Sequence, residues 1–343
     1  MGHLATAASE ISQLYGLRVR TRTAVLNAAM LPKMLETANM TESSVRASGI
    51  TAPLMIMRSD GGIMDIAEMR RRPIMTMLSG PAAGVAAALM YVKISDGLFL
   101  EVGGTSTDIS LIRNGRPLVR SAEVGGHRLY IRTLDVRTVG IGGGSMIRLT
   151  GGSLVDVGPR SAHIAGLSYP SFAPPENIGD LSLASIEPKP GDPADYAAVS
   201  GRNGSRYAIT TTEADNAIGQ VKQYAVADRR SLDPFMDYMA RQCSTGPASL
   251  ARSILDKACA KVNDVVRHFL REYRVEEGIL SYVGGGGGAE VIVPYAADKM
   301  GMQHFIAENT EVVSAIGAAL GMIRDSIERS VVNPSDAEIL RIR

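Results

Sequence analysis

The stretch FLEVGGTSTDISLIRNGRP, residues 99–117, decides how this chain is read. A short apolar run from Phe99 to Val102 enters Gly103-Gly104, and three hydroxyl residues, Thr105, Ser106 and Thr107, lead to Asp108. An alternating run, Ile109 to Ile112, then reaches Asn114-Gly115. Apolar runs on either side of paired glycines predict two antiparallel strands about a sharp bend. Asn-Gly predicts a two-residue hairpin turn after the second strand. Backbone N–H groups at a Gly-Gly bend can converge on an anion, and adjacent hydroxyls add donors. Glu101 and Asp108, at the two ends of the bend, could hold a divalent cation that offsets phosphate charge. A plain hairpin turn capped by its own hydroxyls is the competing explanation. It needs fewer hydroxyls and no acid at either end, so phosphate binding is the favoured reading.

Working outward, the chain's 36 glycines cluster where apolar runs end. GIGGGSM (140–146) closes a strand with Gly142, Gly143, Gly144 and Ser145, although a bulge explains it equally well. SGPAAG (79–84) opens a small-residue helix, either as an anion site or simply as a tight turn. In YVGGGGGAEVIVPYAADKMG (282–301), Gly284, Gly286 and Ala289 satisfy the dinucleotide pattern G-x-G-x-x-A, with Glu308 after the next strand. Pro294 early in that helix, and the lack of further βαβ units after it, oppose a dinucleotide-binding domain. The same glycines could instead pack against an adenine and ribose. TTTEADNAIG (210–219) places Glu213, Asp215 and Asn216 at a helix start, where capping is favoured over a metal or substrate role. Among the histidines only His163, close to the glycine loops, invites a test.

Other segments set the organisation. Residues 21–48 read as helix broken near Pro32; 53–58 is a strand, and 74–93 reads as strand, tight turn and helix. RLYI and TVGI continue a meander, Gly151-Gly152 tips another hairpin, and residues 168–205 look largely irregular. Helical spacing of Leu250, Ile254, Val262, Val265 and Phe269 marks a long helix. Strand–helix alternation joined to a meander indicates an α/β protein with a mixed sheet.

Composition limits the partners. With 343 residues, 45% hydrophobic and 21% charged, a net charge of +1 and no basic block, nothing points to nucleic acid or an anionic membrane. The apolar run 82–92 is too short to span a bilayer, and the absence of a leader pattern leads us to expect a cytoplasmic location. Two cysteines without CxxC spacing read as structural thiols.

In order, SDGG, SGPAAG, EVGGTSTDIS, GIGGGSM, DVGPRSA, TTTEADNAIG, VGGGGGAEVIVPYAADKMG and SAIGAALG resemble the hydantoinase A/oxoprolinase family, over about residues 20–325. The resemblance implies an actin/hexokinase/Hsp70-like (RNase H-like) fold, a mixed sheet flanked by helices, with a truncated first half. Residues 1–95 would be a remnant of that half. Residues 96–330 would be the second half, with an irregular insertion about 150–210, and 331–343 a tail. It implies ATP and Mg2+ as cofactors. The activity would be ATP-dependent hydrolysis of a cyclic amide of 5-oxoproline or hydantoin type, with a hydantoinase B-like subunit as partner. A non-catalytic nucleotide-binding or assembly subunit is the alternative.

Carried over by residue, Asp108, Thr105 and Thr107 would be catalytic. Gly103, Gly104, Ser106, Gly142 to Gly144, Ser145, and Gly284, Gly285, Gly286 and Gly287 would hold nucleotide, and Glu101 and Asp108 metal. Three departures stand out: Glu101 and Glu213 replace the usual Asp, and no first phosphate loop occurs before residue 60. A fragment, a split protein with a separate N-terminal half, and a member that has lost half its cleft all fit that departure. Apolar surface over residues 1–50 is expected in each case.

Overall fold

A computed structural model of the protein describes residues 4–276, 280–324, 331 and 333–342. The chain begins with α1 (Ala8–Ile11) and the long helix α2 (Leu17–Ala47), in which Pro32 makes no break. Thr23, Asn27, Leu31 and Ala38 lie buried along one side of α2, and that anchoring outweighs the single backbone bond the proline removes. The hairpin β1 (Met55–Met57)–β2 (Ile63–Asp65) turns at Ser59–Gly61, as expected, and leads to α3 (Ile66–Arg71). The strand expected next is a 3-10 turn, Pro73–Thr76: Pro73 presets a helical φ and has no N–H for a ladder. The small-residue helix α4 (Ser79–Met90) follows.

Strands β3 (Gly97–Val102), β4 (Thr107–Arg113) and β5 (Arg116–Pro117) come next, with Asn114 and Gly115 both at positive φ in the expected turn. Then come β6 (Val119–Val124), β7 (His127–Leu134), β8 (Val136–Val139), β9 (Ser145–Thr150) and β10 (Ser153–Ser161). The short helix α5 (Ala162–Ala165) precedes β11 (Ser182–Ile186), β12 (Tyr196–Ser200) and β13 (Arg206–Tyr207). Four helices and two strands follow: α6 (Thr211–Ala217), α7 (Arg229–Gln242), α8 (Pro247–Glu272), β14 (Tyr282–Gly285), α9 (Ala289–Met300) and β15 (His304–Ile306). The chain closes with α10 (Val313–Ala319) and α11 (Asp336–Ile342). Part of the expected final helix, 325–327, lies outside the described residues.

Two compact units emerge. The first comprises residues 1–86, 118–135 and 318–343, and the second 87–117 and 136–317. In the first, the β6–β7 hairpin forms its own two-stranded sheet rather than continuing the meander. Its Ala122, Leu129 and Ile131 pack on Ile74, with Leu26 and Met30 of α2 alongside. Burial of that apolar face is what takes the hairpin out of the meander. Leu17, Val25, Met40 and Ile50 stay exposed, as expected for residues 1–50.

In the second unit one sheet has the order β15-β14-β3-β4-β5, with β8 also pairing β4. Strands β15, β14 and β3 are parallel, while β3, β4 and β8 are antiparallel. Three antiparallel strands extended by two parallel ones through helical crossovers are the actin/hexokinase/Hsp70-type, RNase H-like arrangement. Strands β3 and β4 are buried along almost their whole length, as central strands should be. The segment read as irregular contains β11 and β12, which join β9 and β10 in a second sheet. Its Pro-, Gly- and Asp-rich hairpin tip hid an apolar strand, Tyr196–Val199, that is fully buried. Among the described residues no helix is long and apolar enough to cross a membrane.

Ile74 is completely buried against the β6–β7 hairpin. Ile74→Ala is expected to lower stability by about 2–5 kcal/mol, seen as an earlier urea midpoint with an unchanged slope.

Candidate functional site

The bend between β3 and β4 meets two other glycine segments, backbone against backbone. Gly143 N–H donates to Gly103 O (2.9 Å) and Gly144 N–H to Gly104 O (2.7 Å). From the other side, Gly288 N–H donates to Val102 O (2.9 Å). Such spacing leaves no room for side chains: a Cβ on Gly142 would overlap Gly103 O, and one on Gly286 would overlap Val102 O. Gly286 also has a φ of +86°, which L residues rarely adopt.

Three hydroxyls hold the middle segment in place. The Thr210, Thr211 and Thr212 hydroxyls all stand within hydrogen-bonding distance of Gly143 O, at 2.9, 2.8 and 2.7 Å, and that of Thr211 is also 2.6 Å from Gly142 O. They stand at the start of α6 in a capping box closed by Glu213, whose carboxylate also accepts the Ser171 N–H (3.3 Å). The capping explanation of Glu213 therefore holds. Burial pushes its carboxyl upward, opposed by those hydrogen bonds.

A cavity of about 490 Å3 opens where the three segments meet, with Gly103, Gly104, Gly143, Gly144, Gly287 and Gly288 in its walls. Among the described residues, the N–H groups of Gly104, Thr105, Ser106 and Gly287 find no acceptor in the chain. Of these, Gly104 and Gly287 line the cavity itself, and free N–H donors in a backbone-lined wall are suited to an anion. Of the remaining sequence-selected glycines, Gly142 lies beneath the floor, while Gly284 and Gly285 are buried in β14. Ser145 is also buried, its Oγ accepting the Gly142 N–H (2.9 Å).

The hydroxyl run does not act as one exposed face. Thr107 is fully buried as the first residue of β4, and its hydroxyl donates to Ile141 O (2.7 Å). Side chains alternate across a strand, so this one turns inward and is not among the donors that the hydroxyl run was expected to add at the bend. Thr105 is half-buried and bonded to Ser161 Oγ (2.9 Å). Asp108 accepts from Thr138 Oγ1 (2.5 Å) and sits directly across the ladder from Glu101. Glu101 bonds Ser314 through one carboxylate oxygen, and the other, buried, has no partner among the described residues. Burial, with the neighbouring charge of Asp108, pushes its carboxyl upward against the Ser314 bond. Facing carboxylates of this kind want a proton or a cation between them.

Three aromatic residues that the sequence did not single out, Tyr169, Phe172 and Tyr224, complete the cavity walls. They come from irregular segments, where no periodicity could have marked them. His163 is exposed and not among the lining residues. A larger cavity, about 600 Å3, between the 91–96 segment and β15 contains none of the glycine turns, and so lacks their donors. Behind the site, Asp215 is wholly buried with neither carboxylate oxygen partnered among the described residues. Burial and the nearby Glu290 charge push its carboxyl up to about 8, with Lys222 opposing.

The sequence profile of the hydantoinase/oxoprolinase family matches residues 20–327. The chain is 32% identical over 147 residues to the caprolactamase alpha subunit of Pseudomonas jessenii, a match covering 42% of this chain and 21% of that one. It is 26% identical over 292 residues to 5-oxoprolinase 1 of Arabidopsis thaliana, covering 80% of this chain and 21% of that one. The crystal structure of the ATP-dependent caprolactamase from Pseudomonas jessenii shares the fold, with a TM-score of 0.67 at 23% identity. That superposition covers 93% of this chain and 43% of the other. The chain thus spans well under two thirds of the length of each.

Two outcomes follow from the geometry. Gly142→Ala should push the 103–106 turn away from the 142–144 segment and destabilise the fold by more than about 1 kcal/mol, measurable by chemical denaturation. The Asp215 carboxyl ionises near 3.8 when unfolded but near 8 when folded, so the folded chain keeps a proton that the unfolded chain has lost. Stability from this group therefore falls as pH rises from about 4 to about 8. Asp215→Asn should raise the melting temperature by several degrees at pH 8, with the gain vanishing towards pH 4. A gain independent of pH would contradict the assignment.

Proposed function

We propose that this chain, which belongs to the hydantoinase/oxoprolinase family, is the nucleotide-holding part of an enzyme that couples ATP cleavage to hydrolysis of a cyclic amide of 5-oxoproline or hydantoin type. The observation carrying this reading is the cavity where the Gly103–Gly104, Gly143–Gly144 and Gly287–Gly288 backbones meet beside unpartnered N–H groups. Relatives named as a caprolactamase subunit and a 5-oxoprolinase support the choice of substrate class.

An unstrained amide is a poor target for water because its leaving group is poor. Phosphorylating the amide oxygen makes the carbon electrophilic enough for water to add. The ring C–N bond then breaks as the nitrogen takes a proton, and the acyl phosphate left behind is hydrolysed to carboxylate and phosphate. The work left to the protein is positioning and charge stabilisation. In this reading the amides of Gly104 to Ser106 and the Thr105 hydroxyl cradle phosphate oxygens. The walls at Gly143, Gly144 and Gly287 carry the rest of the nucleotide, and Gly142, Ser145 and Gly284 to Gly286 shape them from behind. Thr107 contributes by holding the start of β4. The pairing of Glu101 with Asp108, and the unpartnered Glu101 oxygen, fit a hard divalent cation such as Mg2+. Bound there with the phosphates, it would offset their charge; Asp108 and Glu101 would hold it.

Residues 96–330, less the 118–135 hairpin and the segment from 318 that fall in the first unit, would be one RNase H-like half, and 1–95 part of another. A hydantoinase B-like subunit and a separate N-terminal half would be the partners. The non-catalytic alternative draws on one observation: within residues 1–343 the pattern GGT-x-TD occurs once, at Gly103–Asp108. Groups acting only on the transition state set the rate, so chemistry is more sensitive than binding to a missing second turn.

Calorimetric titration of the chain with Mg-ATP is expected to show binding that requires the metal and weakens at least about tenfold in Asp108→Ala. Phosphate release stimulated by 5-oxoproline or a hydantoin should appear only when a partner subunit is supplied. No binding would defeat the nucleotide reading, and robust turnover by the chain alone would defeat the partner requirement.

A further inference from the structure

Two large aromatic side chains stand exposed at the rim of the glycine cavity: Phe172 is 55% exposed and Tyr224 60%. Tyr224 is not on a loose surface loop. Glu290 Oε2, from the first turn of α9, accepts the N–H groups of Gln223 (3.0 Å) and Tyr224 (3.3 Å). Asn216 of α6 holds the next residues, donating to Ala225 O (2.9 Å) and accepting from Ala227 N–H (2.8 Å). Glu290 and Asn216 are both almost fully buried, so the core itself fixes where Tyr224 is presented. The ring lies over Gly287, where a Cβ would come within 3.0 Å of it. An aromatic ring held in place against the glycine wall, with more than half of its surface exposed, is a platform on which a flat ring can stack.

The opposite wall has a different chemistry. The Tyr169 hydroxyl sits where a Cβ on Gly144 would be, and 3.9 Å from the corresponding point at Gly104. It makes no hydrogen bond among the described residues. Burial, with the charge of Glu213, pushes it up to about 12, so it remains a donor throughout the neutral range. The cavity thus offers hydrogen-bond donors at Tyr169 and the Gly103–Gly104 turn, and a π face at Tyr224. A ligand that satisfies both has an anionic end and a planar, weakly polar end.

Resting on the nucleotide reading above, we infer that Tyr224 is the stacking platform for the nucleobase and that Tyr169 donates to the phosphates. The two tyrosines divide one ligand between them. Tyr224 determines whether a base adds affinity beyond that of the phosphates alone, and Tyr169 acts on any polyphosphate. Gly287 and Gly144 are glycine because these rings occupy the space their side chains would need.

Inorganic tripolyphosphate separates the two ends. The 343-residue chain, wild type and variants, is titrated calorimetrically with Mg-ATP and with Mg-tripolyphosphate, folding being checked by circular dichroism and melting. Tyr224→Ala and the bulkier Tyr224→Leu should each weaken ATP about tenfold and leave tripolyphosphate within about twofold, whereas Tyr224→Phe should keep ATP affinity. Tyr169→Phe should weaken both ligands by a similar factor, about three- to tenfold. Unchanged ATP binding in Tyr224→Leu, or equal loss of both ligands, overturns the base platform. Wild-type protein that binds tripolyphosphate as tightly as ATP also overturns it, while leaving the anion cradle standing. Wild-type protein that binds neither overturns this inference together with the nucleotide reading.

Discussion

Everything at the candidate site depends on one close contact: the peptide backbone at Gly143–Gly144 hydrogen-bonded to that at Gly103–Gly104. The loops can approach to that distance only because the 142–144 segment carries no side chain there: a Cβ on Gly142 would overlap Gly103 O and one on Gly144 would overlap Gly104 O. The contact uses the carbonyls of 103 and 104 as acceptors and leaves the N–H groups of Gly104, Thr105 and Ser106 without an acceptor among the described residues. The third segment, at Gly286–Gly288, closes on Val102 by the same rule, so the cavity is walled largely by main chain. Main chain cannot change rotamer, and a site built from it is preorganised.

That contact is supported by a polar interior, which is expensive unless every group finds a partner. Thr210, Thr211 and Thr212 crowd the carbonyls of Gly142 and Gly143, and Glu213 secures Thr210 in turn. The arrangement is well satisfied. Asp215, two residues on, is not: it is buried and without a hydrogen-bond partner among the described residues, and it keeps its proton to avoid a bare charge. Stability is thus spent directly behind the loops that the function needs, where the Glu290 and Asn216 side chains also fix the Tyr224 segment.

How much of this the sequence carried differs by feature, for physical reasons. The bend at 103–106, the Asn114-Gly115 and Gly151-Gly152 turns, the capping box and the α8 stripe were legible because local chemistry alone dictates them. The eight ordered motifs carried the fold only through their resemblance to a known family; the residues read by themselves gave no more than an α/β protein with a mixed sheet. What failed was non-local. Pro32 inside α2 is overruled by tertiary burial, and the β6–β7 hairpin leaves the meander for the apolar surface around Ile74. Strand β12 was masked by a Pro-rich tip, and Thr107 faces inward because of strand alternation counted from a start one residue away. The aromatic walls, Tyr169, Phe172 and Tyr224, were invisible because nothing in their own neighbourhoods requires an aromatic residue; only the folded cavity gives them a purpose.

The central claim is that the glycine turns form an anion-binding nucleotide cavity, and amide hydrogen exchange reads those turns directly. Addition of Mg-ATP should slow exchange in peptides covering 103–107, 142–146 and 286–289, and Mg2+ alone should not. Unchanged exchange there, with protection appearing instead around the second cavity at Tyr91–Asp96 and Phe305–Glu308, would contradict the account.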